Sequence, residues 1–295
     1  MVRRAHHDKL LFLAMTTKYP ILTLRTGGEV HLRNRHHSIF KTSLSTTLPE
    51  VAPGGIVEVH SSKDEFLCFA TFNPAAYICG RAIAFEKGDP LAQLKLAMER
   101  SIHMREQFFR NEDTNAYRLI NAEGDGVPGL ICDRYNDTLV VQFTTMGMDN
   151  MRQWVADVLM AACKPARIFE KSTSPARKKE NLEPVEGWIV GSGEAQVPVK
   201  ERGLNFLISL TGSQKTGLFI DQREMRSLVR STAAGRTVLD CCSYVGGFSL
   251  SALMGGAVQA DAVDYDAFAL EHAKKHMELN GVEASKFSTH AEDVF

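Results

Sequence analysis

Thr237-Val238-Leu239-Asp240-Cys241-Cys242-Ser243-Tyr244-Val245-Gly246-Gly247-Phe248-Ser249 is the stretch that decides the fold. Thr237–Leu239 reads as a buried strand ending in an acid, then a glycine turn leads into a helix. A second strand, Val258–Val263, ends in Asp264, 18 residues past Gly246. Asp266 reads as the cap of a helix whose apolar face is Leu270, Ala273 and Met277, and Asn280-Gly281 closes it. A third strand near Phe287 is followed by Asp293. Strand and helix in alternation argue a parallel α/β sheet. Such sheets bind ligands at the carboxyl ends of their strands, where glycine lets a ligand approach the backbone. Asp264 is placed to take both hydroxyls of a ribose, and Asp293 to accept from an adenine amino group. The plain alternative is an αβ turn whose acids only cap helices. A dinucleotide fold is a rival, but G-x-G-x-x-G is absent and Asp240 would face a pyrophosphate with the wrong charge. A sulfonium carrying an adenosine suits these acids better.

Upstream, Leu204–Leu210 reads as a strand. Asp221 and Glu224 resemble a capping box with Met225, Leu228 and Val229 as the apolar stripe behind it. Residues 117–170 form a separate unit: strands Tyr117–Ile120, Leu130–Tyr135 and Thr138–Phe143, a helix Asp149–Cys163, and a strand Arg167–Glu170. Ser172–Glu186 is charged, holds Pro175 and Pro184, and reads as an exposed loop. Asp89-Pro90 opens a helix carrying Leu91, Leu94, Met98 and Ile102 on one face, ending near Phe109. Residues 20–85 read as short strands with turns at Gly27-Gly28 and Pro53-Gly54-Gly55, which suggests a small barrel.

The chain has 295 residues, enough for two or three domains with cores of their own. No apolar run approaches the about 18 residues a membrane span needs. Net charge is −1, so the molecule is no polycation, yet residues 1–41 carry eight Lys/Arg against Asp8 and Glu29. That front end, including Arg33, Arg35 and Lys41, is a candidate surface for a phosphate-bearing partner; a solvated face is the plain alternative. The six cysteines lack CxxC spacing, which argues against zinc ribbons and for reduced thiols in a cytoplasmic protein. Leu10–Met15 is too short for a secretory h-region, and Met15 is an alternative start.

Gly246-Gly247-Phe248-Ser249 after Leu239-Asp240 resembles the S-adenosylmethionine-dependent RNA methyltransferases of the large-subunit rRNA cytosine-C5 type. Leu210-Thr-Gly-Ser-Gln-Lys215-Thr-Gly217-Leu-Phe219-Ile-Asp221-Gln222-Arg223 looks like that family's other signature. So does Ala122-Glu-Gly-Asp125-Gly-Val-Pro128-Gly-Leu-Ile-Cys-Asp133-Arg134-Tyr135, and Asp293-Val294-Phe295 is similar to its continuation. The resemblance spans roughly residues 20–295. It implies an α/β multidomain chain: a PUA-like RNA-binding barrel over 20–88, a linker helix and central α/β domain over 89–200, and the N-terminal half of a Rossmann-like class I methyltransferase sheet over 201–295.

The resemblance also implies S-adenosylmethionine as cofactor. Phe219, Gln222 and Arg223 would line its site, Asp240, Tyr244, Gly246 and Gly247 hold the methionine end, Asp264 take the ribose and Asp293 the adenine side. Gln222 offers donors and an acceptor, and Arg223 can pair with a carboxylate. The implied partner is 23S rRNA or its assembling subunit, with no membrane. Two departures stand out: Met225 replaces the usual asparagine, and His36-His37-Ser38-Ile39-Phe40 replaces a His-Pro-Trp-Val-Phe-like run. In this family the Asp-Pro-Pro-like loop and the catalytic cysteine lie further on, so the expectation is a C-terminally truncated chain, inactive alone, with Cys241 and Cys242 packed as small residues in the cofactor turn. The alternatives are a non-catalytic RNA-binding protein and a guanine-directed rRNA methyltransferase.

Overall fold

The structure, a computed structural model, describes residues 19–213 and 215–294. The readings of residues 1–18 (Met15 as start, the cations Arg3, Arg4, Lys9 and Lys18) and of Phe295 lie outside the described residues.

The first unit holds β1 (Ile21–Thr23), α1 (Val30–Arg33), β2 (Ser38–Phe40), β3 (Gly55–His60), β4 (Phe66–Phe72) and β5 (Ile78–Ala84). They form one sheet in the order β1-β3-β4-β5-β2. A bridge between Leu24 and Leu44, with Arg25 N donating to Ser43 O at 3.0 Å, joins its two edge strands at one end. Inside lie Leu22, Leu32, Ile39, Val57, Val59 and Phe72, all buried.

α2 (Pro90–Phe109) starts where Asp89 accepts from Leu91 N and Pro90 takes the first turn. Its Leu94, Met98 and Ile102 share one core with Phe69 and Ile83 of the barrel and with the next sheet. That sheet contains β6 (Ala116–Asn121), β7 (Leu130–Tyr135), β8 (Thr138–Phe143), β9 (Arg167–Ser172) and β10 (Val185–Val190), ordered β10-β9-β8-β7-β6. α3 (Met146–Asn150) and α4 (Arg152–Cys163) fill the β8–β9 crossover, so the single helix expected from Asp149 is two. Both faces of this sheet are covered. Leu139, Val141 and Phe143 enter the core with α2, while Val140, Tyr135 and Phe169 enter a second core with the C-terminal unit. A strand buried on both faces reads as a continuous apolar run, which is what Leu139-Val140-Val141 is.

β11 (Gln196–Glu201) and β12 (Leu204–Ser209) form a hairpin. The 200/201 division read from the sequence falls inside β11, before its last residue; Val197, Val199, Phe206 and Ile208 pack with Tyr244, Leu250 and Met277. After α5 (Arg223–Thr232) come β13 (Thr237–Cys241), α6 (Gly247–Met254), β14 (Gln259–Asp264), α7 (Ala267–Leu279) and β15 (Phe287–Ala291). β13-β14-β15 is an all-parallel sheet in sequence order. β13 has no strand on its outer edge among the described residues, and its Leu239 is 66% exposed.

Two readings need correction. The 172–186 segment is exposed over most of its length, but two charged side chains anchor it inside the fold, so it is not a free loop. Pro175–Glu180 is a 3-10 turn in which Arg177 and Glu180 are buried. Arg177 Nη1 donates to Phe143 O (2.5 Å) and Asp149 Oδ1 (2.8 Å), and its Nε to Glu183 O (2.9 Å). Glu180 accepts from Asn73 Nδ2 of the barrel at 2.9 Å, so a charged segment ties two units together. Helix α5 also inverts its expected stripe. Met225 and Leu228 are 55% and 54% exposed, while Arg223 and Arg226 are buried. The reason is Glu201, buried on β11, which Arg226 meets with two bonds of 2.7 and 2.8 Å. Asp221 caps nothing there and pairs with Lys215 at 3.6 Å.

Candidate active site

Parallel pairing sets Asp240 beside Ala262 and Cys241 beside Val263, so Asp240 and Asp264 lie at the carboxyl ends of adjacent strands. Asp264 pairs with Ala291, so Asp293 follows just past the same edge and is exposed. Asp240 Oδ2 accepts from Ser249 N (3.0 Å) and Ser249 Oγ (2.8 Å), which fastens β13 to α6. Burial raises the Asp240 carboxyl above its ordinary value, against the bonds from Ser249, and the nearby charge of Asp264 adds to the rise. Asp264 accepts from Tyr244 N (2.8 Å) and Asp266 N (2.9 Å), one bond on each oxygen. A carboxylate oxygen has two lone pairs, so each keeps acceptor capacity for a ligand.

The turn between the acids is tight. Cys242, Tyr244 and Gly246 have φ of 57°, 49° and 68°. A Cβ on Gly246 would lie 2.8 Å from Ala273 Cβ, and one on Gly247 3.2 Å from Arg226 Cδ. These glycines therefore make room for α7 and α5. Cys241 and Cys242 are exposed rather than packed. Ser243 Oγ, by contrast, is buried with no hydrogen-bond partner among the described residues. A buried hydroxyl without a partner, in a turn at the carboxyl edge where the two strands end in Asp240 and Asp264, fits a small polar ligand carrying hydroxyls and positive charge.

Tyr244 reaches the second signature. Its hydroxyl donates to Gly217 O (2.9 Å) and its ring meets Phe219 edge-on at 5.3 Å. Gln222 is exposed at the start of α5. Arg223 points elsewhere: Nη2 donates to Ala116 O (2.6 Å), Nε lies 3.5 Å from Glu201, and the guanidinium stacks over Phe109 at 4.7 Å. The structure thus gathers Phe219, Asp240, Tyr244, Gly246, Gly247 and Asp264, and gives Arg223 a structural partner in its place. The barrel cations are also engaged. Arg33 pairs with Glu65, Arg35 with Glu86 at 2.8 Å, and Lys41 Nζ donates to Pro74 O at 3.2 Å.

Sequence reading missed what holds the 213–219 loop. Asp133 Oδ2 accepts from Thr216 Oγ1 (2.6 Å), and Tyr135 OH bonds Thr216 Oγ1 (2.9 Å) and accepts from Leu218 N (3.2 Å). Lys171 Nζ donates to Ser213 O at 2.8 Å. The signal was present: Asp133 and Tyr135 end the third motif, which had no assigned task.

A profile for S-adenosylmethionine-dependent methyltransferases matches residues 176–295, and one for a PUA-like domain matches residues 22–85. The ribosomal RNA large subunit methyltransferase I of Salmonella arizonae is 32% identical over 280 residues, covering 94% of this chain and 70% of that protein. The chain belongs to the S-adenosylmethionine-dependent large-subunit rRNA methyltransferase family. The Klebsiella pneumoniae (strain 342) relative of the same name is likewise 32% identical over 280 residues, with the same coverage. In fold, the family chain matches a protein described as a methyltransferase and complexed with SAH, at TM-score 0.81 and 24% identity, over 94% of this chain and 70% of that one. It also matches a methyltransferase from Streptococcus mutans at TM-score 0.79 and 24% identity. S-adenosylmethionine is the family's cofactor, and the orphaned Ser243 hydroxyl with the two strand-end acids fits it. No helix among the described residues is long and apolar enough to cross a membrane.

Proposed function

We propose that this chain binds S-adenosylmethionine at the carboxyl edge of β13-β14-β15 and serves methylation of cytosine C5 in 23S rRNA, in the cytoplasm, on free rRNA or the assembling subunit. The observation that carries the reading is the convergence of Asp240, Ser243, Tyr244 and Asp264 on one turn, with Phe219 against Tyr244. In it, Asp264 accepts from the ribose hydroxyls, Asp240 and the turn over Gly246 and Gly247 hold the cationic methionine end, and Asp293 with Gln222 closes on the adenine side. Bound there, the cofactor supplies an electrophilic methyl group. Arg33, Arg35 and Lys41 of the barrel serve RNA: the two arginines by exchanging surface ion pairs weak enough to give way to phosphate, Lys41 by exchanging its bond to Pro74 O.

C5 methylation needs a thiolate that adds to C6 of the pyrimidine, making C5 nucleophilic. The cysteines of this unit, Cys241 and Cys242, are part of the cofactor turn itself. We propose that the described residues form the cofactor half of the site and that the nucleophile comes from a segment pairing along the open edge of β13. The position of β13 supports this: it is the edge strand of an all-parallel sheet, and among the described residues no strand pairs with the backbone groups of its outer side. Titrating the purified chain with S-adenosylhomocysteine (SAH), and incubating it with labelled S-adenosylmethionine and unmethylated 23S rRNA, tests both parts. Cofactor binding without transfer is expected. Absence of binding overturns the site, and C5 transfer by residues 1–295 alone overturns the assignment of the nucleophile.

A further inference from the structure

A cleft of about 1150 Å³ opens between the end of α2, strands β6–β8 and the 213–223 loop. Met104 and Phe108 line it, one helical turn apart, at 54% and 70% exposure. The Phe108 ring meets Phe109 edge-on at 5.0 Å and is otherwise largely open to solvent. Around these two lie Arg105, Arg118 and Lys215, and Asp221 is the one carboxylate lining the cleft among the described residues. Arg118 is held by two bonds to the buried Asp133, 2.7 and 3.2 Å, so its guanidinium is fixed in place. The same Asp133 accepts from Thr216, so the cleft's cation and the loop that carries Phe219 share one anchor.

A wide cleft with an outward aromatic ring and a cationic rim matches the chemistry of unpaired RNA: a base stacks on the ring while phosphates meet the cations. A duplex offers no free base face, and an apolar protein segment would gain nothing from the cationic rim, whose Lys215–Asp221 pair is a half-exposed one that phosphate can replace. We infer that this cleft binds an unpaired stretch of RNA, with one base stacked on Phe108 and the backbone against Arg118 and Lys215. The inference rests on the methyltransferase reading and assigns its RNA a path from α2 to the loop beside the cofactor turn.

The test is fluorescence anisotropy of a labelled single-stranded hexanucleotide RNA against the full chain and its Phe108→Ala, Phe108→Leu and Phe108→Trp variants, with SAH binding measured on each. The expected result is a loss of about tenfold or more in RNA affinity for Phe108→Ala and Phe108→Leu, retention in Phe108→Trp, and unchanged SAH binding throughout. Leucine serving as well as phenylalanine would mean an apolar partner and overturn the assignment. So would equal RNA binding by Phe108→Ala, or no RNA binding by the unaltered chain. Those results leave the cofactor site standing if SAH still binds; loss of SAH binding by the unaltered chain instead overturns the functional reading itself.

Discussion

Asp240 carries a conflict between stability and function. Folded Asp240 holds its proton to higher pH than the unfolded chain, because burial disfavours the charge. Its contribution to stability is therefore largest below the ordinary Asp value of 3.8 and is lost as pH rises through the raised folded value. At pH 7, Asp240→Asn is expected to melt at or above the parent temperature while losing SAH binding, which a thermal scan and a calorimetric titration read separately. Lys171 has the opposite sign. Burial lowers its amine to about 8 from 10.5, partly offset by Glu186, so its cost falls as pH rises from about 8 to 10.5. The stability advantage of Lys171→Met over the parent is expected to shrink by about 2 kcal/mol between pH 7 and 10, read by urea denaturation. The strand-end positions of Asp240 and Asp264 were legible in the sequence from the alternation of strand, glycine turn and helix, whereas Tyr244 came from the resemblance of the motif alone. For Arg223 the motif gives a position on the chain, and only packing shows that its side chain turns toward Glu201 and Phe109.

Among the elements, α5 shows why a sequence stripe can mislead. Its Met225 and Leu228 are exposed while Arg223 and Arg226 are buried, because a single carboxylate on the β11–β12 hairpin, Glu201, draws the arginines inward; of the stripe only Val229 packs inward. Leaving a buried charge without its partner is costly, so Arg226→Ala is expected to destabilise by about 3–5 kcal/mol. Removing the exposed Arg35–Glu86 pair is expected to cost about 1 kcal/mol or less. Chemical denaturation of the two variants checks the contrast; equal effects would mean Glu201 finds other compensation. β10 and β11 also escaped the sequence reading. Val185–Val190 is interrupted by Gly187 and β11 contains Pro198, and both residues weaken a strand signal without preventing edge pairing. The helices α2 and α7 were plain by contrast, each opening on an aspartate that caps it in the structure.

Among the described residues the units are joined by two shared cores and by polar ties between them. α2 closes the barrel against the central sheet, and the hairpin closes the central sheet against the cofactor unit. Asn73, Arg81 and Glu180 tie the barrel to the 175–180 turn, with Arg81 Nη2 to Glu180 Oε1 at 3.3 Å. Glu180→Ala is expected to speed hydrogen exchange in β4 and β5 while leaving α6 and α7 unchanged; faster exchange throughout would instead indicate a global loss of stability. The order of units was readable from composition and motifs, but this staple was not, since a charged, proline-containing stretch looks the same in sequence whether solvated or buried. The central claim is that the edge of β13-β14 holds the methyl donor through Asp264. Calorimetric titration of SAH into the parent chain and into Asp264→Ala tests it most directly. The account predicts binding by the parent and a loss of about 10- to 100-fold in the variant; equal affinity of the two, or no binding by the parent, would contradict it.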